Sequence, residues 1–515
     1  MSVMRRLVRT MAKRKAREIH HVLENSVELT ESKLKSIVEK NQDTVFGRKH
    51  RFGRIRSPEE YAESVPLCDS VDMTKWLSLV YENPTGRILT EESVEWYLMS
   101  SGTTGKPKKI PVTKTGMTDT KTGSMYGWLA FLNAEPGNDS IIDGTMVTFG
   151  APSRISEVKG IPVGYASGVY GEKQNKVFQR LIKPGPDVFN ITDNEAKMWE
   201  YAKLIATSKT TVIQGITTLS LALIRRLQNE YGPELVREYN GTKHEDRIRN
   251  AMNDDQTLNL RRLCPDLKML GSSGIDVGPY RTWLQEQVPG LKIWEFYGLS
   301  EAGIIGTQNY IEPGIQLLGS LNYLEFIRQR DSEKEHPEAI PLSDVKKNER
   351  YEIVVTSENG WYRYRPGDLV TFVEVSPFSV RQIARKGRVV NMAGEKMAEA
   401  HVAAAIKAAS AKTNAQVMDY TVVGSIEHGL PFYTLAAMFS GNDVDPLEFV
   451  AAFEDNIKYS NMEFKIVRES GALGPTRLLR MRRSLAEEVV RESHAQAKPV
   501  PLTTDTSVLA LCEEA

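Results

Sequence analysis

The sequence predicts an α/β fold in which a large layered domain is followed by a smaller α+β domain. From about residue 93 to residue 384, strand-like apolar runs alternate with helical patterns, and this alternation is typical of a sheet covered by helices. The strand-like residues 211–213, followed by the helical pattern of residues 219–224, are one example. Beyond residue 385, a helical pattern over residues 398–409 and strand patterns near Val422 and Tyr433 indicate the second domain. At ~150 residues per domain, a chain of 515 residues has room for two to four domains.

The composition is that of a globular protein without a strong charge preference. Hydrophobic residues make up 41% and charged residues 26% of the chain, and 66 basic residues balance 66 acidic ones. A zero net charge gives no overall field that would attract nucleic acid, and no apolar run reaches the ~18 residues of a membrane span. We therefore expect no nucleic-acid partner, no membrane span, and a monomer or weak dimer.

The three cysteines, Cys68, Cys264 and Cys512, are odd in number and far apart in the sequence. This pattern gives no disulfide framework and favours a reducing compartment, so we expect a cytoplasmic protein. The eight histidines form no HExxH motif and no Cys/His pair at zinc spacing, so we expect no transition-metal site.

The N-terminal region, to about residue 92, is predicted to be helical. Its first 17 residues carry seven basic and no acidic side chains. A transit peptide or an anion-binding arm has this composition. Apolar residues such as Leu7 and Met11 recur at nearly helical spacing, however, and serine and threonine are sparse, which favours an amphipathic surface helix.

A strand-like run over residues 94–98 leads into the segment SSGTTGKPKK of residues 100–109. Glycines let a backbone approach an anion closely and turn its N–H groups toward it, while hydroxyls and lysines add donors and charge. The segment is not a Walker A loop, because only two residues separate its glycines and a proline follows the first lysine. A flexible surface turn is the alternative, and Lys108 and Lys109 could be solvated lysines. The predicted phosphate-binding residues are Ser100, Ser101, Gly102, Thr103, Thr104, Gly105 and Lys106.

Two later segments make the phosphate-binding interpretation the stronger one. They are WEFYGLSEAG (residues 294–303) and WYRYRPGD (residues 361–368), and with SSGTTGKPKK they form the ordered trio of adenylate-forming enzymes. The chain resembles, more closely, the Gretchen Hagen family of acyl acid amido synthetases. That resemblance rests on NQDTVFGR (41–48), LNYLEFI (321–327), Asp344 with YEIVVT (351–356), and the YRYR run, and it covers roughly residues 30 to 483.

The resemblance implies both an architecture and an activity. It implies a large N-terminal domain of the adenylate-forming type over residues 1–384 and a small mobile lid over residues 385–493, with a hinge at RKGR (385–388). The polar residues 494–515 are predicted to be a flexible tail. The implied activity is that of an ATP- and Mg²⁺-dependent ligase, which activates a small carboxylic acid as acyl-AMP and transfers it to an amine, expected to be an amino acid. Transfer to the thiol of coenzyme A or a carrier protein, and a catalytically reduced protein that only binds acyl adenylates, are the alternatives.

The activated carboxylate and ATP are both anions, so the site must neutralise charge and align the attack on the α-phosphorus. The resemblance places Glu301 on Mg²⁺, which prefers few protein carboxylates completed by phosphate oxygens and water, and Ser300 beside the α-phosphate. A Ser-Glu pair is, in isolation, also a common helix cap. The segment GSSG (271–274) ends a predicted strand, where open sheets place their ligand crevices, and its family counterpart lies against the adenine. The predicted nucleotide contacts here are Ser273, Gly274, Tyr297 and Gly298.

Asp368 resembles the aspartate that binds both ribose hydroxyls in the family, since an ionised carboxylate has two oxygens for a diol. Pro-Gly-Asp is also ordinary turn chemistry. Tyr364 and Arg365 are expected to flank Asp368. Arg363 could equally be a structural ion-pair partner.

The chain departs from its family near the C-terminal end. Family members carry a lysine that reaches the carboxylate and the α-phosphate, whereas the matching segment here, GALGPTRLLR (471–480), places Arg477 at that position. A guanidinium is a broad planar fork and not a compact ammonium, so the two are not equivalent. Arg477 is the predicted catalytic cation together with Lys106, and Lys465 and Lys396 are alternatives.

The acyl acid is expected between residues 215–225, residues 164–170 and the loop before Tyr323. Aromatic and small side chains there suit an aryl or short acyl acid, although such residues also fill ordinary cores. The predicted lining residues are Tyr165, Tyr170, Thr217, Thr218, Leu221 and Tyr323.

Overall fold

Five helices lead the chain toward its first sheet. A computed structural model describes residues 3–100, 108–174, 176–273, 277, 280–310, 313–385, 389–440, 444–482 and 501–514. The helices are α1 (Val3–Glu24), α2 (Ser26–Lys40), α3 (Val45–Lys49), α4 (Pro58–Ser64) and α5 (Met73–Glu82). Helix α1 buries Val8, Ala12 and Ile19 while most of its basic residues stay exposed, so the predicted amphipathic surface helix is confirmed. Within the described residues, no helix has both the length and the apolar character needed to cross a bilayer.

A four-stranded sheet carries the predicted phosphate-binding segment. Its strands are β1 (Trp96–Ser100), β2 (Lys108–Val112), β4 (Ser156–Val158) and β5 (Ile161–Gly164), in the order β2-β1-β5-β4. Strands β1 and β2 pair antiparallel, with Trp96 opposite Val112 and Ser100 opposite Lys108. The predicted residues Ser101, Gly102, Thr103, Thr104, Gly105 and Lys106 lie between these strands and outside the described residues.

A twelve-stranded sheet forms the centre of the molecule. One half is parallel and consists of β6 (Ile182–Lys183), β3 (Thr145–Thr148), β7 (Thr210–Ile216), β8 (Met269–Ser273) and β9 (Lys292–Leu299), in that spatial order. The other half is antiparallel and continues through β10 (Gly303–Thr307), β11 (Ile315–Leu317), β16 (Phe378–Arg385), β15 (Asp368–Val375), β14 (Arg350–Thr356), β12 (Tyr323–Arg328) and β13 (Ile340–Pro341). The central residues of these parallel strands, such as residues 146–147, 212–213 and 269–270, are buried and apolar because helices cover the sheet.

The helices around this sheet follow the predicted alternation with the strands. They are α6 (Lys114–Ala134), α7 (Ala166–Glu172), α8 (Lys176–Leu181), α9 (Pro186–Phe189), α10 (Asn194–Thr207), α11 (Thr217–Asn229), α12 (Gly232–Glu238), α13 (Glu245–Ala251), α14 (Leu260–Leu263) and α15 (Arg281–Gln287). The α/β prediction is therefore confirmed. The carboxyl ends of the parallel strands, at Thr148, Ile216, Ser273 and Leu299, share one edge of the sheet, where such sheets place their ligands.

The chain after residue 388 folds as an α+β unit. The hairpin β17 (Val389–Val390) and β18 (Met397–Ala398) precedes α16 (Glu399–Thr413), β19 (Val417–Glu427), β20 (Leu430–Phe439), α17 (Pro446–Ser460), α18 (Met462–Glu469), β21 (Arg477–Met481), β22 (Leu502–Thr503) and β23 (Cys512–Glu514). Strands β22-β19-β20-β21-β23 form one sheet. The predicted helix and both predicted strands are present. The predicted hinge residues Lys386, Gly387 and Arg388 lie outside the described residues.

Part of the predicted flexible tail belongs to this last sheet. Leu502 and Thr503 pair with β19, and residues 512–514 pair with β21. This strand pairing gives hydrogen-bond partners to the backbone N–H and C=O groups of these residues. The polar composition of the tail did not indicate such partners. The structure thus differs from a loosely held tail over residues 501–514.

Candidate active site

A cavity of about 2400 Å³ lies at the carboxyl edge of the parallel strands. The central sheet and α6 supply one side of its wall, and the α+β unit supplies residues around Met392, Ile426 and Ile466. Many of the predicted site residues meet there. Those that line it are Tyr165, Tyr170, Ser273, Tyr297, Gly298, Ser300, Asp368 and Arg477.

Tyr297 and Asp368 join the two motifs that the sequence singled out. Tyr297 lies near the end of β9 and Asp368 begins β15, and the Tyr297 hydroxyl donates a hydrogen bond to Asp368 Oδ2 at 2.8 Å. Asp368 is only 7% exposed and still lines the cavity. A charge-assisted bond of this kind fixes the carboxylate orientation before any ligand arrives.

Glu301 lies in the turn between β9 and β10, which pair antiparallel with Leu299 opposite Gly303. Gly303 has φ +70°, and a Cβ there would come within 2.0 Å of Thr120 Oγ1, so the turn needs glycine. No helix begins at this turn, so the helix-cap alternative for Ser300 and Glu301 is wrong. The Tyr364 hydroxyl donates to Glu301 Oε1 at 3.3 Å, which links the two motifs a second time.

Lys108, which the sequence left as a possible solvated lysine, lies close to Glu301. Its ammonium donates to the Ser70 carbonyl at 3.2 Å. Burial lowers the pKa of Lys108, and the nearby carboxylates of Glu301 and Asp69 oppose that shift. A positive group therefore lies near Glu301 at the start of β2, directly after the segment predicted to bind phosphate.

A turn that the sequence analysis did not select holds Glu301 in place. The Ser357 hydroxyl donates to the Glu301 carbonyl at 2.8 Å, and Asn359 Nδ2 donates to the same carbonyl at 3.2 Å. Asn359 Oδ1 accepts from the backbone N–H of Thr113 at 3.0 Å, and Thr113 caps α6. A Cβ at Gly116 would come within 2.0 Å of Asn359 Oδ1, so the approach of α6 is close. The polar triplet Ser-Glu-Asn between a buried strand and WYRYR was the sequence signal for this turn.

The middle residue of this turn, Glu358, anchors it to α2 through buried charge. Its carboxylate oxygens lie 2.9 Å from Lys33 Nζ and 3.0 Å from Lys40 Nζ. Lys33 also contacts Asp119 of α6 at 2.7 Å. Burial alone would lower the pKa of Lys33, but the carboxylates of Glu358 and Asp119 outweigh it and raise that pKa. The Glu301 turn is thus fixed to both α2 and α6.

The two arginines of the YRYR run form structural ion pairs. Arg363 makes two hydrogen bonds to Glu325, at 3.0 and 2.9 Å, and donates to the carbonyls of Ala62 and Val65. Arg365 makes two hydrogen bonds to Glu352, at 3.0 and 2.8 Å. The structural interpretation of Arg363 therefore holds, and these pairs orient the strand-to-strand connection that presents Tyr364 and Asp368.

Arg477 faces the cavity from the start of β21 but has an acidic partner. Its guanidinium makes two hydrogen bonds to Glu427, at 3.1 and 2.9 Å, and stacks 3.9 Å from the centre of the Phe432 ring. The side chain is 52% exposed. The alternative cations Lys465 and Lys396 also line the cavity, and Lys465 lies 3.9 Å from Glu469.

The predicted acyl-contact residues divide into two groups. Tyr165 and Tyr170 line the cavity. Thr217 is buried and exchanges hydrogen bonds with Ser272 and Ser273, and Thr218 follows it on α11. Leu221 and Tyr323 do not line the cavity, because Leu221 packs in the core beneath the parallel strands and Tyr323 packs edge-to-face with Tyr61. Gly274 lies outside the described residues.

The sequence also missed an apolar part of the wall. It comes from α6, from β3 and its neighbouring loop, and from β9, and it consists of Met125, Trp128, Leu132, Ile142, Met146 and Phe296. In the sequence these residues look like the buried faces of their helix and strands. They give the cavity a largely apolar wall on this side, which suits an organic acid with an apolar body.

Residues 15–253 match the GH3 family N-terminal domain, and residues 315–385 match the GH3 family central domain, so the two models span more than half of the chain. The chain belongs to the GH3 family. The resemblance read from the sequence motifs is thereby confirmed.

GH3 proteins of plants are among the relatives of this chain. The jasmonoyl–L-amino acid synthetase JAR6 of Nicotiana attenuata is 24% identical over 84% of this chain and 82% of its own length. The indole-3-acetic acid-amido synthetase GH3.10 of Arabidopsis thaliana is 21% identical over 89% and 88%. Among solved structures, GH3.15 acyl acid amido synthetase in complex with 2,4-DB has a TM-score of 0.65 at 18% identity, covering 98% of this chain and 97% of that one. A 2-hydroxyisobutyryl-CoA ligase has a TM-score of 0.55 at 15% identity, covering 96% and 91%. The fold of this GH3 chain is thus that of adenylate-forming enzymes.

The residues of this GH3 chain fit a Mg²⁺–ATP complex. In the described part of the chain, no group of three His, Cys, Asp or Glu side chains could hold a metal ion alone. One carboxylate suits Mg²⁺, since this ion takes one or two protein carboxylates and completes its shell with phosphate oxygens and water. Glu301 is such a carboxylate, held by Tyr364 and placed beside Lys108.

Proposed function

We propose that this chain is an ATP-dependent ligase, which activates a carboxylic acid as an acyl adenylate and transfers the acyl group to an amine. One observation carries the proposal. The hydrogen bonds Tyr297–Asp368 and Tyr364–Glu301 bring the YGLSEAG and YRYRPGD motifs together, and Tyr297, Ser300 and Asp368 of these motifs line a largely apolar cavity. Family membership and the plant amido synthetases among the relatives support the same reaction.

In the first step, a carboxylate oxygen of the acid attacks the α-phosphorus of ATP and pyrophosphate leaves. Asp368, oriented by Tyr297, accepts hydrogen bonds from the two ribose hydroxyls, and Ser273 lies where the adenine would bind. Glu301 and the phosphates would hold Mg²⁺, which supplies positive charge to the phosphate oxygens. Ser300 and the segment 100–106 are proposed to donate to the phosphates. Lys106 and Arg477 are the proposed catalytic cations, with Lys465 and Lys396 as the alternatives to Arg477.

In the second step, the amine attacks the acyl carbonyl and AMP leaves. The acyl body is proposed to lie against Tyr165 and Tyr170 and the apolar wall. Arg477 must exchange its contact with Glu427 for the α-phosphate if it acts in the first step, and this exchange is consistent with residues 385–493 acting as a lid on residues 1–384. The three free cysteines support a cytoplasmic location, where thiols stay reduced.

The test is to identify the products. The chain is incubated with ATP, Mg²⁺ and a set of aryl and aliphatic acids, in three arms containing amino acids, coenzyme A or neither. We expect AMP, pyrophosphate and a new amide in the first arm. A thioester without amide would make the chain a thiol-dependent ligase, and ADP with phosphate would contradict adenylation altogether.

A further inference from the structure

Lys197 is a cation that lines the cavity and has no role in the proposed reaction. It lies in the first turn of α10 and is half-buried. Its ammonium donates to the carbonyl of Phe189, the last residue of α9, at 2.9 Å. Throughout the residues that the structure describes, no carboxylate oxygen lies within 4 Å of Lys197 Nζ.

Of the other basic side chains on the cavity wall, Lys121, Arg381 and Lys396 also have no ion pair among the described residues, whereas three have acidic partners. Arg281 pairs with Glu295, Arg477 pairs with Glu427, and Lys465 lies near Glu469. Lys197 has only a neutral carbonyl. Burial lowers the pKa of Lys197 to about 8, and no acidic group opposes that shift. Removing an ammonium from water without a counter-charge is unfavourable, so a bound anion would stabilise this position.

The topology places Lys197 at the same edge of the sheet as the proposed adenylate site. Helix α10 precedes β7 through a short turn and runs antiparallel to it, so its first turn lies at the carboxyl ends of the strands. One turn further along α10, the Tyr201 hydroxyl donates to the Thr148 carbonyl at the end of β3. Strand β3 is two strands from β8 and three from β9. Lys197 therefore lies near the carboxyl end of β3 and lines the same cavity as Ser273 and Ser300.

We propose that Lys197 binds a carboxylate that is not the one activated, so that one of the two organic substrates carries a second carboxylate. This inference rests on the proposed ligase function. The second carboxylate has two possible sources. It is either the far end of a dicarboxylic acid or the carboxylate of an acceptor amino acid.

The experiment compares Lys197→Met with a matched control, Lys203→Met. Lys203 is on the same helix, contacts Glu200 at 2.6 Å and does not line the cavity. In the acyl arm, pyrophosphate exchange is measured with straight-chain dicarboxylic acids from adipate to sebacate and with their monomethyl esters. In the acceptor arm, amide formation is measured with glycine and with glycinamide, using the best acid from the first arm.

We expect Lys197→Met to raise the KM about 10- to 100-fold for the dicarboxylic acid in the acyl arm or for glycine in the acceptor arm. This is the effect of losing one hydrogen bond to a charged group. The KM of the ester or amide in that arm, which lacks the extra carboxylate, should be unaffected, and Lys203→Met should change neither KM. The arm that responds identifies the source of the carboxylate. The proposal would be overturned, with the ligase function intact, if the wild type showed equal KM values with and without the extra carboxylate, or if Lys197→Met had no effect in either arm.

A readout without catalysis separates the two proposals. Binding of sebacate and glycine, and of sebacate monomethyl ester and glycinamide, is measured by calorimetry in the absence of ATP. We expect the wild type to bind either sebacate or glycine about 10-fold or more tightly than Lys197→Met does, with no such difference for the matching ester or amide. If no acid supports exchange, the ligase function fails. Calorimetry then decides on Lys197 alone, and equal affinities of both proteins for sebacate and for glycine would refute its role.

Discussion

Replacing Asn359 by alanine tests whether the turn of residues 357–359 positions Glu301. The change removes the acceptor for the Thr113 N–H and one of two donors to the Glu301 carbonyl. Asn359 is only 2% exposed, so water does not replace these partners. A buried group left without its hydrogen bond costs about 1–3 kcal/mol, and this cost applies to the Thr113 N–H. The Glu301 carbonyl loses one bond but keeps the one from Ser357, so its cost is smaller. Together we expect a loss of about 2–4 kcal/mol in the free energy of unfolding.

The same variant should lower catalysis by more than its stability loss explains. The Asn359 side chain links the cap of α6 to the Glu301 turn, and a shift of the turn by ~1 Å would reduce kcat for pyrophosphate exchange about 10²-fold. The KM of the acid should change little. Asn359→Asp keeps the acceptor for Thr113 but loses the donor to Glu301, so it should also lower kcat. Urea unfolding and exchange at saturating ATP give the two numbers.

Asn138→Ala is the matched control for this prediction. Asn138 is buried and donates to the Phe131 carbonyl at 2.7 Å, at the far end of α6. Its substitution should reduce stability to a similar extent while kcat for exchange stays within about threefold of the wild type. If Asn359→Ala loses stability but keeps wild-type exchange, the turn is only structural and the positioning argument is refuted.

Three further predictions follow from the site and its surroundings. Asp368→Ala should raise KM for ATP about 10- to 10³-fold through lost hydrogen bonds to a charged group, with little effect on KM for the acid, and unchanged ATP affinity would contradict the ribose assignment. Arg477→Ala should abolish pyrophosphate exchange but spare acyl transfer from a pre-made acyl adenylate, whereas Glu427→Ala should retain exchange. If exchange survives in Arg477→Ala, another cation must neutralise charge during adenylation. For Glu92, burial alone would raise the pKa of the carboxyl, but hydrogen bonding from Lys40 helps to lower it to about 2. Because this folded-state pKa lies below the unfolded value of ~4.3, Glu92 stabilises the protein above pH ~4.3 and loses that effect as pH falls toward 2. The stability difference between wild type and Glu92→Gln, measured by urea unfolding, should therefore shrink between pH 5 and 3, and a constant difference would contradict this assignment.

The sequence predicted well those features that depend on local patterns. Buried parallel strands appear as apolar runs with helical segments between them, so the α/β core and the position of Ser273 at the end of a strand could be found. The two motifs that carry Tyr297 and Asp368 were also found, since their residue types match the chemistry of a nucleotide. Their mutual hydrogen bond could not be found, because it joins positions 71 residues apart in the chain.

Features that depend on distant contacts were missed. The link between Lys40 and Glu358 spans 318 residues, and no local pattern indicates that Glu358 holds the turn beside the site. Leu221 and Tyr323 were predicted at the acyl pocket because aromatic and aliphatic residues line pockets and fill cores alike. Burial, which only the fold determines, separates the two cases. The same holds for residues 501–514, whose polar composition gave no sign of the strands they pair with.

Pyrophosphate exchange tests the central claim most directly. The chain is incubated with ATP, Mg²⁺, labelled pyrophosphate and one organic acid at a time, without amine or thiol. We predict label in ATP only when a suitable acid is present, because a reversible attack of the carboxylate on the α-phosphorus regenerates ATP from the acyl adenylate and pyrophosphate. Exchange should fall about 10²- to 10³-fold in Glu301→Ala, in line with the loss of one charge-stabilising group. No acid-dependent exchange across aryl, aliphatic and dicarboxylic acids, or exchange that Glu301→Ala leaves unchanged, would contradict the account.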